Sequence, residues 1–149
     1  MKISYERISK IFPAINQRPL TEEEFWHSAQ AEKIIVSEAD FAADGYYQRR
    51  GNKCFILINK RLRGMFWLRT AYHELTHHFL TPPDMKGFKQ YRTPLLNIGK
   101  EEQIADAIGT IAVLPFADAF RYANEDLSDC EEFGKLVHER LKIYLDHGI

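Results

Sequence analysis

No hydrophobic run in this chain is long enough to cross a bilayer. Its most apolar stretch, about Ala107 to Ala117, is broken by Gly109, Thr110 and Pro115, whereas a spanning helix needs about 20 consecutive apolar residues. The first residues, MKISYERISK, are too polar for a signal-peptide core. Cysteine is scarce. Cys54 and Cys130 lie far apart with no CxxC spacing, and they are expected to be two lone buried thiols in a reducing cytosol. An excess of one charge is also missing. A net charge of −1 gives no global reason to expect nucleic acid or an anionic membrane as a partner. Repeats and low-complexity tracts are absent. What remains is 45% hydrophobic and 28% charged, the mixture of an ordinary globular protein. The 149 residues suit one domain, 1–149, able to bury a core without staples. The expectation is a cytoplasmic, soluble, single-domain protein.

Local signals divide the chain into helices and a few strands. Residues 4–12 read as a short helix ended by Pro13. Thr21 and Glu24 form a capping box, which predicts a helix from Glu22 to about Lys33. Ile34-Ile35-Val36 is a short β-branched run. Tyr46, Tyr47 and the apolar Cys54-Phe55-Ile56-Leu57-Ile58 predict a hairpin turning near Gly51-Asn52. The second of these strands is apolar throughout, which suits burial on both faces. A helix is predicted over about Gly64 to Leu80, stopped by Pro82-Pro83. Residues 81–98 read as a long loop. A second helix should run from about Lys100 to Leu114, ending at Pro115. A third should cover Ser128 to Asp146, with Ser128 as cap and Glu131 as its capping-box partner. The predicted class is α+β, mostly helical, with a sheet of about three strands. The first 35 residues leave no room for a complete helix-turn-helix DNA reader.

The chemistry concentrates in His73-Glu74-Leu75-Thr76-His77, an HExxH pentad inside a predicted helix. Residues four apart share a helix face about 6 Å apart along the axis, so both imidazoles can reach one ion. Glu74 stands about 100° further round, placed to touch a water on that ion without filling a ligand site. In projection Leu68, Tyr72, Leu75 and Phe79 make one apolar stripe, and His73 and His77 fall nearly opposite. These are not core histidines.

The following helix supplies what HExxH lacks. Glu102 and Asp106 are four apart on one face. Glu102 can be the third ligand, completing a His2Glu site with one position open for water. Asp106 can accept from the free ring nitrogen of a ligating imidazole, which fixes its tautomer. Ala105, Gly109 and Val113 share the carboxylate side, while Ile104, Ile108 and Ile111 lie opposite, where a core would want them. A mid-helix glycine costs about 1 kcal/mol against alanine, so Gly109 points to another backbone coming close. Glu101 is the rival ligand, but position 105, four residues on, is an alanine, and Glu102 is preferred. His2Glu in a tetrahedral setting suits zinc, with manganese or iron as the alternatives.

The stretch FILINKRLRGMFWLRTAYHELTHHFL at 55–80, followed by EEQIADAIGTIAVLP at 101–115, resembles the ImmA/IrrE family of HExxH metallopeptidases. That family places a buried strand ending in Asn before the HExxH helix, then a helix of the form E-x-x-A-(N/D) ending in Leu/Met-Pro. The matching pieces are Ile56 to Asn59, His73 to His77, Glu102 to Asp106 and Leu114-Pro115. The resemblance spans residues 44–115. Thr76 departs from the usual glycine, and Ile108-Gly109 from the usual Phe-Ala. The resemblance implies a small zincin-like domain of gluzincin type, with the HExxH helix packed on the helix carrying the Glu ligand. The implied function is zinc-dependent hydrolysis of a peptide bond in a regulatory protein, such as a helix-turn-helix repressor of a mobile element or stress response. In that scheme zinc is held by His73, His77 and Glu102, Glu74 is the general base, and the substrate is a separate protein. The alternative is a zinc-stabilised protein-binding module, of toxin–antitoxin or phage-regulator type, without hydrolysis.

The remaining residues are less telling. His78, Tyr46, Tyr47, Tyr91 and Arg92 are candidate donors to a developing oxyanion, and no spacing selects among them. His27, His138 and His147 read as structural or surface residues, and Trp26 and Trp67 as core or rim aromatics. Arg49-Arg50 with Lys60-Arg61 and Arg63 reads as a solvated cationic turn.

Overall fold

A computed structural model describes residues 1–80 and 95–149. In chain order it contains α1 (Lys2–Ile11), α2 (Glu22–Ala31), β1 (Ile34–Ala39), β2 (Gly45–Arg50), β3 (Lys53–Asn59), α3 (Gly64–Leu80), α4 (Leu95–Val113), α5 (Phe116–Tyr122) and α6 (Glu131–His147). This is the expected α+β class. The sheet order is β1-β3-β2, with β1 parallel and β2 antiparallel to the central β3. The hairpin turns at Gly51, whose φ of 59° suits a residue without a Cβ. Cys54, Ile56 and Ile58 are buried along β3, while Phe55 and Leu57 between them are half-buried. The strand therefore has one fully covered face, not two. Asn59 ends it fully buried: its Nδ2 donates to the Phe41 and Ala43 carbonyls at 2.6 and 3.0 Å, and its Oδ1 accepts from the Arg61 amide. One side chain thus ties together the loops on either side of the sheet.

The core forms where α3 lays its apolar stripe on α1, α2 and the sheet. Tyr72 and Leu75 are buried, and Leu68 and Phe79 pack at the margin of the same cluster. Phe25 meets the rings of Trp67 and Tyr72 edge-on at 5.6 and 6.0 Å, and Phe12 meets Tyr72 at 5.4 Å. Trp26, 43% exposed, lies at the rim. The Tyr72 hydroxyl donates to the Thr21 carbonyl at 2.9 Å, which pins the start of α2 to α3. The predicted capping box is present there: the Glu24 amide donates to Thr21 Oγ1 at 3.1 Å, and the Thr21 amide to Glu24 Oε2 at 2.8 Å.

Several expectations are corrected. α4 begins at Leu95, so part of the stretch read as loop is helix. The remainder of that loop, with Pro82-Pro83, Tyr91 and Arg92, lies outside the described residues. α5 was not anticipated. Pro115 starts it, and Asn16 Oδ1 accepts from the Phe116 amide at 2.9 Å and from Arg140 Nη2 at 2.7 Å. Fully buried Arg140 also donates to the Leu114 carbonyl, and burial pulls its pKa down to about 10. Such a long-range partner leaves no local signal. α6 starts at Glu131 after Cys130, with no side-chain cap, and Ser128 lies in the preceding turn, its amide donating to Asp126 Oδ1. Cys130 is exposed, and only Cys54 is a buried thiol. Arg49 is buried rather than solvated, its Nε and Nη1 without hydrogen-bond partners. Its position on the α3-facing side of β2 takes it out of the cationic turn. No single helix among the described residues is long and apolar enough to cross a membrane.

The capping box sets a pH dependence. Arg18 donates to Glu24 at 2.8 and 3.0 Å. This pair first, helped by the Thr21 contacts and opposed by burial, lowers the Glu24 pKa from 4.5 to about 2. Because the folded value is the lower one, the contribution is complete above the unfolded pKa. It is lost as pH falls from about 4.5 towards 2. Glu24→Gln should flatten that part of a stability-against-pH curve measured by urea unfolding, and Thr21→Ala should cost about 1 kcal/mol at neutral pH.

Candidate metal centre

The centre is made by α3 and α4 lying close together. A Cβ placed on Gly109 would stand 2.8 Å from the Arg69 carbonyl oxygen and 3.3 Å from both the amide nitrogen and the Cβ of His73. The glycine is therefore the point of closest helix approach, as its sequence position implied. From Ala107 to Val113, α4 is buried on every side. The expected division into a core face and a site face does not hold there, because α4 is covered by α3 on one side and α6 on another. Its charged residues are confined to the earlier turns, which bring Glu101, Glu102 and Asp106 to the imidazoles.

Each imidazole is gripped on its outer nitrogen. His73 Nδ1 lies 2.9 Å from Asp106 Oδ1, and His77 Nδ1 lies 3.0 Å from Glu101 Oε1. An ionised carboxylate can only accept, so each Nδ1 carries the proton and each Nε2 presents a lone pair. The two Nε2 atoms face one another at 3.2 Å. Glu102 bridges them, with Oε2 at 3.3 Å from His73 Nε2 and Oε1 at 3.1 Å from His77 Nε2. Three electron-pair donors thus converge, an arrangement that repels itself unless a cation sits among them. Ligands about 2.0–2.1 Å from a tetrahedral ion stand about 3.3 Å apart, and all three separations are close to that edge. A proton is the competing cation. Burial alone would lower the His73 pKa, but the Asp106 hydrogen bond and the charges of Glu74, Asp106 and Glu102 outweigh it and raise the value. The Asp106 pKa is lowered, mainly by its bond to His73.

Glu74 faces the same point from the protein side. It is 5% exposed, and burial first of all pushes its pKa up to about 7. Its Oε1 is 3.8 Å from His73 Nε2, longer than a tetrahedral edge. A Cβ on Gly45 would fall 2.5 Å from that oxygen, so β2 can press against the carboxyl only because position 45 has no side chain. Ligand atoms of His73, Glu74 and His77 all lie within 4.8 Å of one another, a group able to hold a metal ion. Glu102, nearer to His73 Nε2 than Glu74 is, stands on the solvent side of that group, its side chain 51% exposed. Of the two carboxylates, Glu102 is the one that touches both Nε2 atoms, and Glu74 lies beside it.

The expected pair Glu102 and Asp106 is thus brought to the histidines, while Glu101 is a partner that sequence reasoning placed only as a rival ligand. Its signal was present. In an antiparallel helix pair the residue serving His77 must precede the one serving His73 by about a turn, and Glu101 does so. His78 is not a donor to the centre: its Nε2 meets Glu32 Oε2 at 2.9 Å and its Nδ1 meets the Tyr47 hydroxyl at 3.1 Å. Tyr46 is 48% exposed and alternates with Tyr47 along β2, so it points away from α3. Thr76, where the family has glycine, is buried and donates back to the Tyr72 carbonyl at 2.7 Å, a bond that keeps its hydroxyl satisfied inside the core. His27, His138 and His147 are exposed.

Two outcomes follow. Gly109→Ala gains about 1 kcal/mol in helix propensity, but forcing a methyl between two backbones costs about 1–3 kcal/mol. The variant should unfold at lower denaturant than the parent and bind metal more weakly. Asp106→Asn and Glu101→Gln should each lower metal affinity about 10–100-fold, measured by competition with a chromophoric chelator. Equal affinity in either would remove that carboxylate from the centre. Compared with protein-family models, with curated proteins and with solved structures, the chain finds no match in any of the three.

Proposed function

We propose that the chain is a zinc-dependent metallopeptidase that cuts a regulatory protein, as its resemblance to the ImmA/IrrE family implies. The observation that carries the reading is the convergence of His73 Nε2, His77 Nε2 and the Glu102 carboxylate at separations of 3.1–3.3 Å, with a buried Glu74 alongside. Two imidazoles and one carboxylate suit zinc among the first-row metals. Zinc bound there would supply a Lewis acid that polarises a carbonyl and lowers the pKa of water.

The chain's own residues divide the remaining work. Asp106 and Glu101 hold the two imidazoles in the Nδ1–H tautomer, so the Nε2 lone pairs point inward. Glu74 is poised to hold a proton. With a pKa of about 7 it is close to half-protonated at neutral pH, the condition for taking a proton from water and returning it to a leaving amine. Desolvation on the protein side strengthens every charge interaction at that point. The substrate would be a separate DNA-binding repressor of a mobile element or a stress response, cleaved in the cytoplasm.

The decisive variant is Glu74→Gln, which keeps the shape and removes the base. It should bind one zinc per chain, measured by metal analysis after reconstitution, and lose cleavage of the protein encoded beside it by at least 100-fold. Undiminished cleavage would remove Glu74 from the reaction. If no metal bound to the parent chain after reconstitution, the whole reading would fail. Cleavage by neither form, with zinc bound to both, would favour a binding module.

A further inference from the structure

A groove of about 470 Å³ runs between the end of α1 and the exposed side of α2, and the metal chemistry does not use it. Its apolar floor is Phe12, Phe79 and Ile11, the last 38% exposed. The Phe12 and Phe79 rings meet edge-on at 6.1 Å. Its rim carries the carboxylates Glu23, Glu24 and Glu32, and among the described residues no lysine or arginine lines it. The lining residues of α2 come in two neighbouring rows, Glu23, His27 and Ala31 beside Glu24, Ser28 and Glu32, each with i, i+4 spacing. This is a face that the core does not need, since α2 is anchored by Phe25 and Ala29 on its other side.

The charges give the groove a sign. Glu24 shares Arg18 and Glu32 shares His78, while Glu23 has no ion-pair partner among the described residues. The chain carries a net charge of only −1, so an acidic rim over an apolar floor is a local feature rather than a consequence of overall charge. From Glu23 to Glu32 the helix rises about 14 Å, the reach of about four extended residues. Its volume lies within the range of ligand-sized sites.

We propose that this groove docks a short cationic, amphipathic segment of a partner protein. One aromatic or aliphatic side chain rests on Phe12 and Phe79, and lysines or arginines flank it opposite Glu23 and Glu32. The segment is held by a surface separate from the metal centre, so docking does not rest on the peptidase reading and requires no metal. Phe79 nonetheless follows His77 by two residues on α3. A protein docked here would therefore be tethered to the helix that carries the histidines.

The test uses the full chain after chelator treatment and two dye-labelled peptides, acetyl-Lys-Lys-Leu-Phe-Lys-Lys-amide and its counterpart with glutamate at every lysine. Fluorescence anisotropy should show binding of the lysine peptide alone, weakened by salt. Both Glu23→Lys, which inverts the rim, and Ala31→Trp, which fills the groove, should weaken it at least tenfold. Zinc loading should leave the affinity unchanged, and this separates failure here from failure of the metal site. Both positions are exposed, and circular dichroism checks that each variant is folded. If Ala31→Trp does not fold, Glu23→Lys decides. Equal binding of both peptides, or affinity unchanged by Glu23→Lys, would overturn the proposal. Salt-sensitive binding that a folded Ala31→Trp leaves intact would also overturn it, as attraction without docking.

Discussion

The packing of α3 against α4 is the constraint on which the rest of this structure depends, because it presses three electron-pair donors together at 3.1–3.3 Å. Left to themselves, two imidazole nitrogens and a carboxylate would move apart. They stay because α3 and α4 are locked by packing that is indifferent to the charges they carry. Gly109 allows the backbones to meet, and Ile108, Ile111 and Ala112 bury α4 in the main cluster. Arg69 ties α3 to Thr110 on α4 and Glu139 on α6 at 3.1 and 2.8 Å. Apolar burial at about 25 cal/mol per Å² thus provides the free energy that holds a polar cluster in an arrangement it would not adopt alone. Held in this way, the group could receive a metal ion without rearranging its helices.

Much of this was legible in the sequence because it is local. The α3 boundaries follow from glycine and the apolar period, and the histidines fall opposite the core stripe by projection. Glu102 and Asp106 carry the right spacing on one face, and the mid-helix cost of Gly109 marks a close approach. What escaped is what depends on partners remote in the chain. Arg49 reads as part of a basic turn until the register of β2 puts it opposite Cys54 on the covered face. α5 rests on Asn16 and Arg140, the latter 124 residues from the former, and no window of sequence connects them. Ser128 has a capping-box pattern, yet its backbone amide bonds to Asp126 in a turn that precedes the helix. Position 105, four residues after Glu101, is an alanine, and the place of Glu101 beside His77 follows only from α4 lying across α3.

The two carboxylates on the Nε2 side of the imidazoles show how environment shapes the same chemical group. Glu102 is half-exposed and reaches both Nε2 atoms, so its charge is solvated on one side and shared on the other. Glu74 is shut in between α3 and Gly45, and its pKa is held at about 7 instead of 4.5. Keeping that group ionised costs the fold about 3 kcal/mol, and a methyl-sized side chain at position 45 would forbid its present place. A metal site that only stapled two helices would need His73, His77 and Glu102 and would be more stable with an apolar residue at 74. The fold instead keeps a carboxyl there, desolvated, 3.8 Å from a donor nitrogen, and able to gain or lose a proton near neutral pH. A group in that state adds no stability by being present, and this is the property on which the proposed proton transfer rests.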